Sequence, residues 1–275
     1  DNVGENAGAV RVYENQNGTW TQIGDDIDGV MYDHLGESVS LSSDGSILAI
    51  GAIYGLNSGK VQVYKNISGV WTQIANDIKG EADGDKFGCS VSLSSDGSMV
   101  AIGAYYNNSV GIRSGHVRVY TNISGVWTQI GADIDGKAEK EQFGYSVSLS
   151  SNGNILAVGA TLNNGTERGK VRVYKNINNV WTQVGTDING EYSSDSFGCS
   201  VSLSGDGNIL AVGARFNYGF ANQAGHVRIY QNISGTWTQI GQDIDGETVN
   251  DLSGYSISLS SDGSVVAIGA AYNDG

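Results

Sequence analysis

The sequence predicts an all-β chain, a five-bladed β-propeller of four-stranded antiparallel blades. Three observations carry this reading. The five tryptophans, Trp20, Trp71, Trp127, Trp181 and Trp237, recur every 51 to 56 residues, each followed by Thr-Gln and then Ile or Val. A period of that size with several short strands per unit marks a propeller rather than a helical solenoid. The composition leans towards β structure, with 41 glycines, no proline and abundant Val, Ile, Thr, Tyr and Ser. No segment keeps the 3.6-residue apolar period of an amphipathic helix beyond one turn.

Each repeat reads as four strands. Strand A is Ser-Val-Ser-Leu-Ser at Ser38–Ser42, Ser90–Ser94, Ser146–Ser150 and Ser200–Ser204, with Ile257 replacing Val in the last copy. Asp44-Gly45, Asp96-Gly97, Asn152-Gly153, Asp206-Gly207 and Asp262-Gly263 follow, and such pairs supply the positive φ angles of a two-residue hairpin. Strand B is an aliphatic run ending in Gly-Ala, as in Ile47–Ala52. Strand C resembles Val117–Tyr120, and an Asn-Ile-Ser-Gly turn leads to strand D, Trp-Thr-Gln-Ile. Alternation puts Leu48 and Ile50 on one face of strand B and Ala49 and Gly51 on the other. A bulky face of one blade can therefore press on the small-residue face of the next.

The whole of 1–275 is expected to form a single propeller, with blades at about 30–80, 81–136, 137–190 and 191–246. The fifth combines 247–275 with 1–29. The chain starts with strands C and D (Val10–Tyr13, Trp20–Ile23) and ends with strands A and B (Ser256–Leu259, Val265–Ala270). Pairing of these ends is expected to complete the last blade, close the ring and remove two exposed sheet edges.

A formal charge of −14 and a pI near 4.4 argue against a nucleic-acid partner, whose phosphates need Lys and Arg. The apolar runs are too short for membrane insertion, and a monomer is expected. A start at Asp1 without Met or signal peptide reads as a processed or excised piece. Cys89 and Cys199 occupy the same position of non-adjacent repeats and read as buried free thiols. His116 and His226 read as surface residues of strand C, and the strand-D tryptophans as blade packing.

Phe87-Gly88-Cys89-Ser90-Val91, Phe143-Gly144-Tyr145-Ser146-Val147 and Phe197-Gly198-Cys199-Ser200-Val201, each followed by a strand ending in Gly-Ala, resemble FG-GAP repeats, the propeller repeats of integrin α-subunit heads. Leu35-Gly36 and Ser253-Gly254 replace Phe-Gly in the other two units. The resemblance implies an extracellular propeller for adhesion or ligand binding. The family's calcium loop between strands A and B is missing, because the turn holds at most one carboxylate and calcium needs six to eight oxygens. No metal and no cofactor are expected.

The B–C and D–A connections emerge on one face of the ring. The B–C loops vary in length, as binding loops on a uniform scaffold do. Two residues past strand B stand Tyr54, Tyr106, Leu162, Phe216 and Tyr272. Three residues before the strand-A glycine stand Asp33, Asp85, Glu141, Asp195 and Asp251. An aromatic platform beside a carboxylate is what a sugar ring needs, although rings that plug the blade junctions and acids that cap loop N–H groups would leave the same pattern. Tyr105, Arg113, Arg215, Tyr218 and Phe220 belong to single loops and are harder to explain as scaffold.

The function expected from these features is an extracellular, non-catalytic binding module, secreted or at the cell surface. It would recognise glycans in a multivalent, lectin-like manner through the B–C/D–A face. The alternative is a protein-adhesion or architectural surface repeat with no small-molecule ligand, so the expected partner is a glycan or a cell-surface protein. No enzyme is expected, because catalysis needs chemically distinct groups and these acids repeat blade by blade.

Overall fold

The computed structural model describes residues 4–161, 168–219 and 221–274, so Leu162 and Phe220 lie outside the described residues. Among them there is no helix. Four antiparallel sheets share one plan and follow one another along the chain. Sheet 1 holds Leu35–Leu41, Ile47–Ala52, Lys60–Ile67, Val70–Gln73 and Ile78–Lys79. Sheet 2 runs from Ser90–Leu93 to Ile134–Asp135, sheet 3 from Phe143–Leu149 to Ile188–Asn189, and sheet 4 from Phe197–Leu203 to Ile244–Asp245. Strands A to D pair in sequence order. The short fifth strand doubles back onto strand C, with Lys60 opposite Lys79 and Val61 opposite Ile78.

Local chemistry explains each turn. At the A–B turn Asp44 Oδ1 accepts from Ser42 Oγ at 2.7 Å and from the Ser46 N–H at 2.9 Å. These bonds, the Ser42 hydroxyl foremost, hold its carboxyl down at about 2. At the C–D turn Ser68 and Gly69 both take positive φ, and Asn66 Oδ1 accepts the Gly69 N–H at 2.8 Å. The Gln of Trp-Thr-Gln has a structural use. Gln73, Gln129, Gln183 and Gln239 each donate at 2.7–2.9 Å to the acid four residues on, Asp77, Asp133, Asp187 or Asp243. That bond bridges the break between strand D and the fifth strand, which the four-strand reading of the repeat did not contain.

The sheets stack as the two-faced strands predict. Ala49 of sheet 1 joins Val91, Leu93, Val100 and Ile102 of sheet 2 in one apolar cluster, and the pattern recurs between sheets 2 and 3 and between sheets 3 and 4. Leu48 and Ile50, on the opposite face, pack with Val10 and Val12. Serine hydroxyls sew the strands nearest the axis together: Ser38 Oγ donates to the Gly88 carbonyl at 2.8 Å, and Ser40 Oγ accepts the Leu93 N–H at 2.9 Å.

Closure of the ring by the termini is corrected by the structure. Ser253–Leu259 and Val266–Ala270 pair with each other. Tyr13–Gln16 pairs with Thr19–Gln22, and Ala9–Val10 with Ile27–Asp28. No strand pairing joins the C-terminal hairpin to the N-terminal strands among the described residues. Val39 and Leu41 are 54% and 49% exposed, whereas their counterparts Val91, Val147 and Val201, and Leu93, Leu149 and Leu203, are 6–8% exposed. Trp20 is 67% exposed, whereas Trp71 donates from Nε1 to the Ile23 carbonyl of the preceding unit at 3.0 Å. Complementary strand types at the ends state what could pair. They do not set the angle between blades, which the sheet-to-sheet packing fixes, and that packing leaves a seam.

The seam makes equivalent leucines inequivalent. Leu93→Ala should cost about 2–4 kcal/mol in urea unfolding. Leu41→Ala should cost about 1 kcal/mol or less. Equal losses at both positions would mean that the seam is closed in solution.

Candidate functional site in the axial funnel

The repeated acids turn inward. Asp85 Oδ2 accepts from the Ala82 N–H at 3.1 Å and from Asn107 Nδ2 at 3.0 Å. Asp195 Oδ2 accepts from the Tyr192 N–H and Asn217 Nδ2, and Asp251 from Glu247, Thr248 and Asn273. Asp33 pairs with Lys60 Nζ at 2.7 Å. Glu141 accepts from the backbone of Lys137 and Ala138 and pairs with Arg172 at 2.5 Å. All five are buried to 4% exposure or less; Asp85, Asp195 and Asp251 clamp the D–A connection to the B–C loop, and Asp33 and Glu141 tie it to basic residues of strand C. The same clamp ties the aromatic to the acid through the backbone: the N–H groups of Tyr54, Tyr106, Phe216 and Tyr272 donate to the carbonyls of Asp33, Asp85, Asp195 and Asp251. Tyr54 and Tyr272 stand 47% and 67% exposed. Lys86 Nζ lies over the Tyr54 ring, and Arg113 lies over Tyr106. Tyr218 is exposed on its own loop, where Gln223 reaches its hydroxyl.

Tyr105 and Arg215 are brought together elsewhere, in a funnel of about 380 Å³ at the axis. They stand one residue past strand B in sheets 2 and 4. The other wall comes from the residue after each strand-A glycine: Glu37, Cys89, Tyr145, Cys199 and Tyr255. Inside an otherwise repeating strand, this position holds three residue types, Glu, Cys and Tyr. That variation was the signal available in the sequence; recognising it required knowing that strand A faces the axis.

The funnel is polarised. Arg215 lies among three rings, with Cζ 5.8 Å from the centre of Tyr145, 4.9 Å from Phe216 and 5.2 Å from Tyr255, and its guanidinium reaches the Tyr145 hydroxyl. Glu37, also in the lining, is exposed and acts electrostatically on Cys89 and Tyr105. Tyr105 packs edge-on against Tyr145 at 5.3 Å. Burial, reinforced by Cys89 and neighbouring tyrosines, raises the Tyr105 pKa, so its hydroxyl stays a donor. Burial also pushes the Cys89 thiol up to about 12 and raises Cys199. Neither is a thiolate nucleophile at neutral pH. Both cysteines are free, Cys199 buried and Cys89 partly exposed.

His116 and His226 are buried, not on the surface. Each lies 3.8 Å from an acid, Asp133 or Asp243, and burial lowers its pKa. Glu81, His116 and Asp133, and likewise Glu191, His226 and Asp243, bring possible metal-ligand atoms within 4.8 Å of one another. In each group a guanidinium already bridges the acids. Arg118 pairs with Glu81 and Asp133, and Arg228 with Glu191 and Asp243. The positive charge that a cation would supply is therefore already in place.

Residues 74–120 match the FG-GAP repeat family. The chain carries an FG-GAP repeat. No curated protein sequence matches it. Among solved structures it resembles the periplasmic gluconolactonase of Pseudomonas aeruginosa, at TM-score 0.65 and 17% identity, over 95% of this chain and 72% of that one. A candidate 6-phosphogluconolactonase from Bacteroides fragilis matches at TM-score 0.61 and 18% identity, over 87% of this chain and 65% of that one. TolB from Acinetobacter baumannii matches at TM-score 0.54 and 14% identity, over 94% and 53%. At these identities the likeness shows the β-propeller fold. It also corrects an expectation. A non-catalytic lectin-like or adhesion module, and no enzyme, was expected. The fold is instead shared with lactonases, and the repeated acids on which that expectation rests are buried loop and strand ties. No helix among the described residues is long and apolar enough to cross a membrane.

If the acid–asparagine pairs are clamps, Asp195→Ala should lower stability by about 1–3 kcal/mol, the cost of leaving the Tyr192 N–H and Asn217 amide unpaired. Chemical denaturation reads this directly. An unchanged midpoint would remove the clamp role.

Proposed function

We propose that the axial funnel is the active site of a hydrolase that opens the ester bond of a small, polyhydroxylated lactone. The observation that carries this reading is the break in symmetry at the axis. Scaffold positions repeat from sheet to sheet, whereas the funnel wall gathers one carboxylate, one guanidinium and three tyrosines. Catalysis needs such inequivalent groups. The lactonases among the structural neighbours support the substrate class.

Glu37 is suited to be the general base. Its carboxylate takes a proton from water as the oxygen adds to the lactone carbonyl carbon. The oxyanion that forms is stabilised by a tyrosine hydroxyl, and Tyr105, which keeps its proton and feels the Glu37 charge, is suited to supply it. The ring C–O bond then breaks, and the proton held by Glu37 passes to the departing oxygen, giving the hydroxy acid. General-base catalysis contributes about 10²–10⁴-fold.

The same reading extends to the ring and its location. The exposed face at Val39 and Leu41 suits a further strand A–strand B hairpin of the same repeat, so a propeller larger than five blades fits the packing better than a closed five-blade ring. A place outside the cytoplasm is supported by the likeness to a periplasmic enzyme and by the FG-GAP match.

Hydrolysis of glucono-δ-lactone followed by pH-stat tests the function. The protein should exceed the spontaneous rate, and Glu37→Gln should lower kcat by at least about 100-fold with an unchanged unfolding midpoint. A wild-type rate no greater than the uncatalysed one, across sugar lactones of several ring sizes, sinks the proposal.

A further inference from the structure

The funnel's cation is anomalous in its surroundings. Acidic residues outnumber Lys and Arg by 29 to 15; the guanidinium groups of Arg11, Arg118, Arg172 and Arg228 each lie against at least one carboxylate, and Arg113 and Arg168 are exposed to solvent. Arg215 is half-buried, and among the described residues no carboxylate lies within ion-pair distance of it. Its Nε is fully enclosed and has no hydrogen-bond partner.

A guanidinium taken partly out of water without a counter-charge is costly. The three surrounding rings return part of that cost through cation–π attraction. The rings carry no counter-charge: the guanidinium reaches the Tyr145 hydroxyl, and the residue lines the funnel. A guanidinium's planar fork of N–H donors matches the paired oxygens of a carboxylate or phosphate.

We infer that Arg215, framed by Tyr145, Phe216 and Tyr255, is an oxyanion subsite of the funnel, and that its ligand is an acidic sugar derivative carrying a phosphate or carboxylate group. This rests on the proposed lactonase reading for the substrate's remaining chemistry; the anion subsite stands on Arg215 alone. Glu37, elsewhere in the funnel lining, repels the same group, so the two charges orient the ligand. Its anionic end sits against Arg215, and its uncharged reacting end lies towards Glu37 and Tyr105. A neutral sugar leaves the guanidinium unsatisfied and binds less tightly.

Isothermal titration with inorganic phosphate, gluconate, 6-phosphogluconate and glucose tests this on the intact chain. 6-phosphogluconate should bind wild type and Glu37→Gln, more weakly as salt rises, and glucose should not bind detectably. Gluconate against phosphate and 6-phosphogluconate separates a carboxylate from a phosphate preference. Arg215→Gln should weaken binding of the preferred anion at least 10-fold, and Arg215→Lys should keep part of it, since the charge remains and the fork is lost. If Arg215→Gln does not fold, Arg215→Lys answers the same question, with undiminished affinity counting against the subsite. Anion affinity that is absent in wild type, or unchanged in Arg215→Gln, overturns the inference. Arg215-dependent anion binding without lactone turnover retains the subsite and rejects the hydrolase.

Discussion

One contact repeats through the molecule and sets the rest: the glycine of strand B presses against the carbonyl of the glycine that opens strand A of the next sheet. A methyl group on Gly51 would fall 2.0 Å from the Gly88 oxygen. On Gly103 and Gly159 it would fall 2.0 Å from the oxygens of Gly144 and Gly198, and on Gly213 it would fall 2.2 Å from that of Gly254. Only a residue without Cβ lets two backbones come so close. The partner glycines hold φ between +83° and +88°, a region costly for other residues. This approach brings Val91 and Leu93 onto Ala49 and lets the serine hydroxyls span the sheets. Gly269 has no such neighbour, meeting only Ser256 of its own sheet. The seam is therefore the place where this contact is not made.

A fold held by one repeated contact makes most positions equivalent, and chemistry has to come from the exceptions. The acids that recur in every copy are consumed by the scaffold, each locked to backbone N–H groups, an asparagine or a basic side chain. The belt of Arg118, Arg172 and Arg228 with their acids is likewise self-satisfied. What remains is the wall of the funnel, where strand A presents one side chain per sheet to the axis and where neither Glu37 nor Arg215 has an ion-pair partner among the described residues. Lining a common axis with the same register position of every sheet concentrates sequence differences in one place while the packing behind them stays constant.

Much of this was legible in the sequence. The tryptophan period, the Asp-Gly and Asn-Gly hairpins and the two-faced strands translate into sheets because each depends on short-range geometry. Tyr105 and Arg215 stood out as residues of single loops, and both reach the funnel. Closure was not legible. Strand pairing is a local rule, whereas ring size accumulates from small rotations at every junction. The site was read at Asp85 and Tyr106 because a carboxylate beside an aromatic ring looks the same in a loop clamp and in a sugar site; only burial and hydrogen-bond partners separate them. His116 misled for a related reason, since strand C is covered on both faces in this stack, and alternation alone does not count the layers above a strand.

Glycine-to-glycine contact joins the sheets and is missing at the seam. Comparing Gly103→Ala with Gly269→Ala by urea unfolding tests it directly. Neither glycine has a positive φ, so alanine suits both backbones, and at Gly269 the nearby Ser256 hydroxyl can rotate aside. Gly103→Ala should lose several kcal/mol, on the order of the large effects seen when a core is overpacked, while Gly269→Ala stays within about 1 kcal/mol of wild type. Comparable losses at both positions would contradict the account.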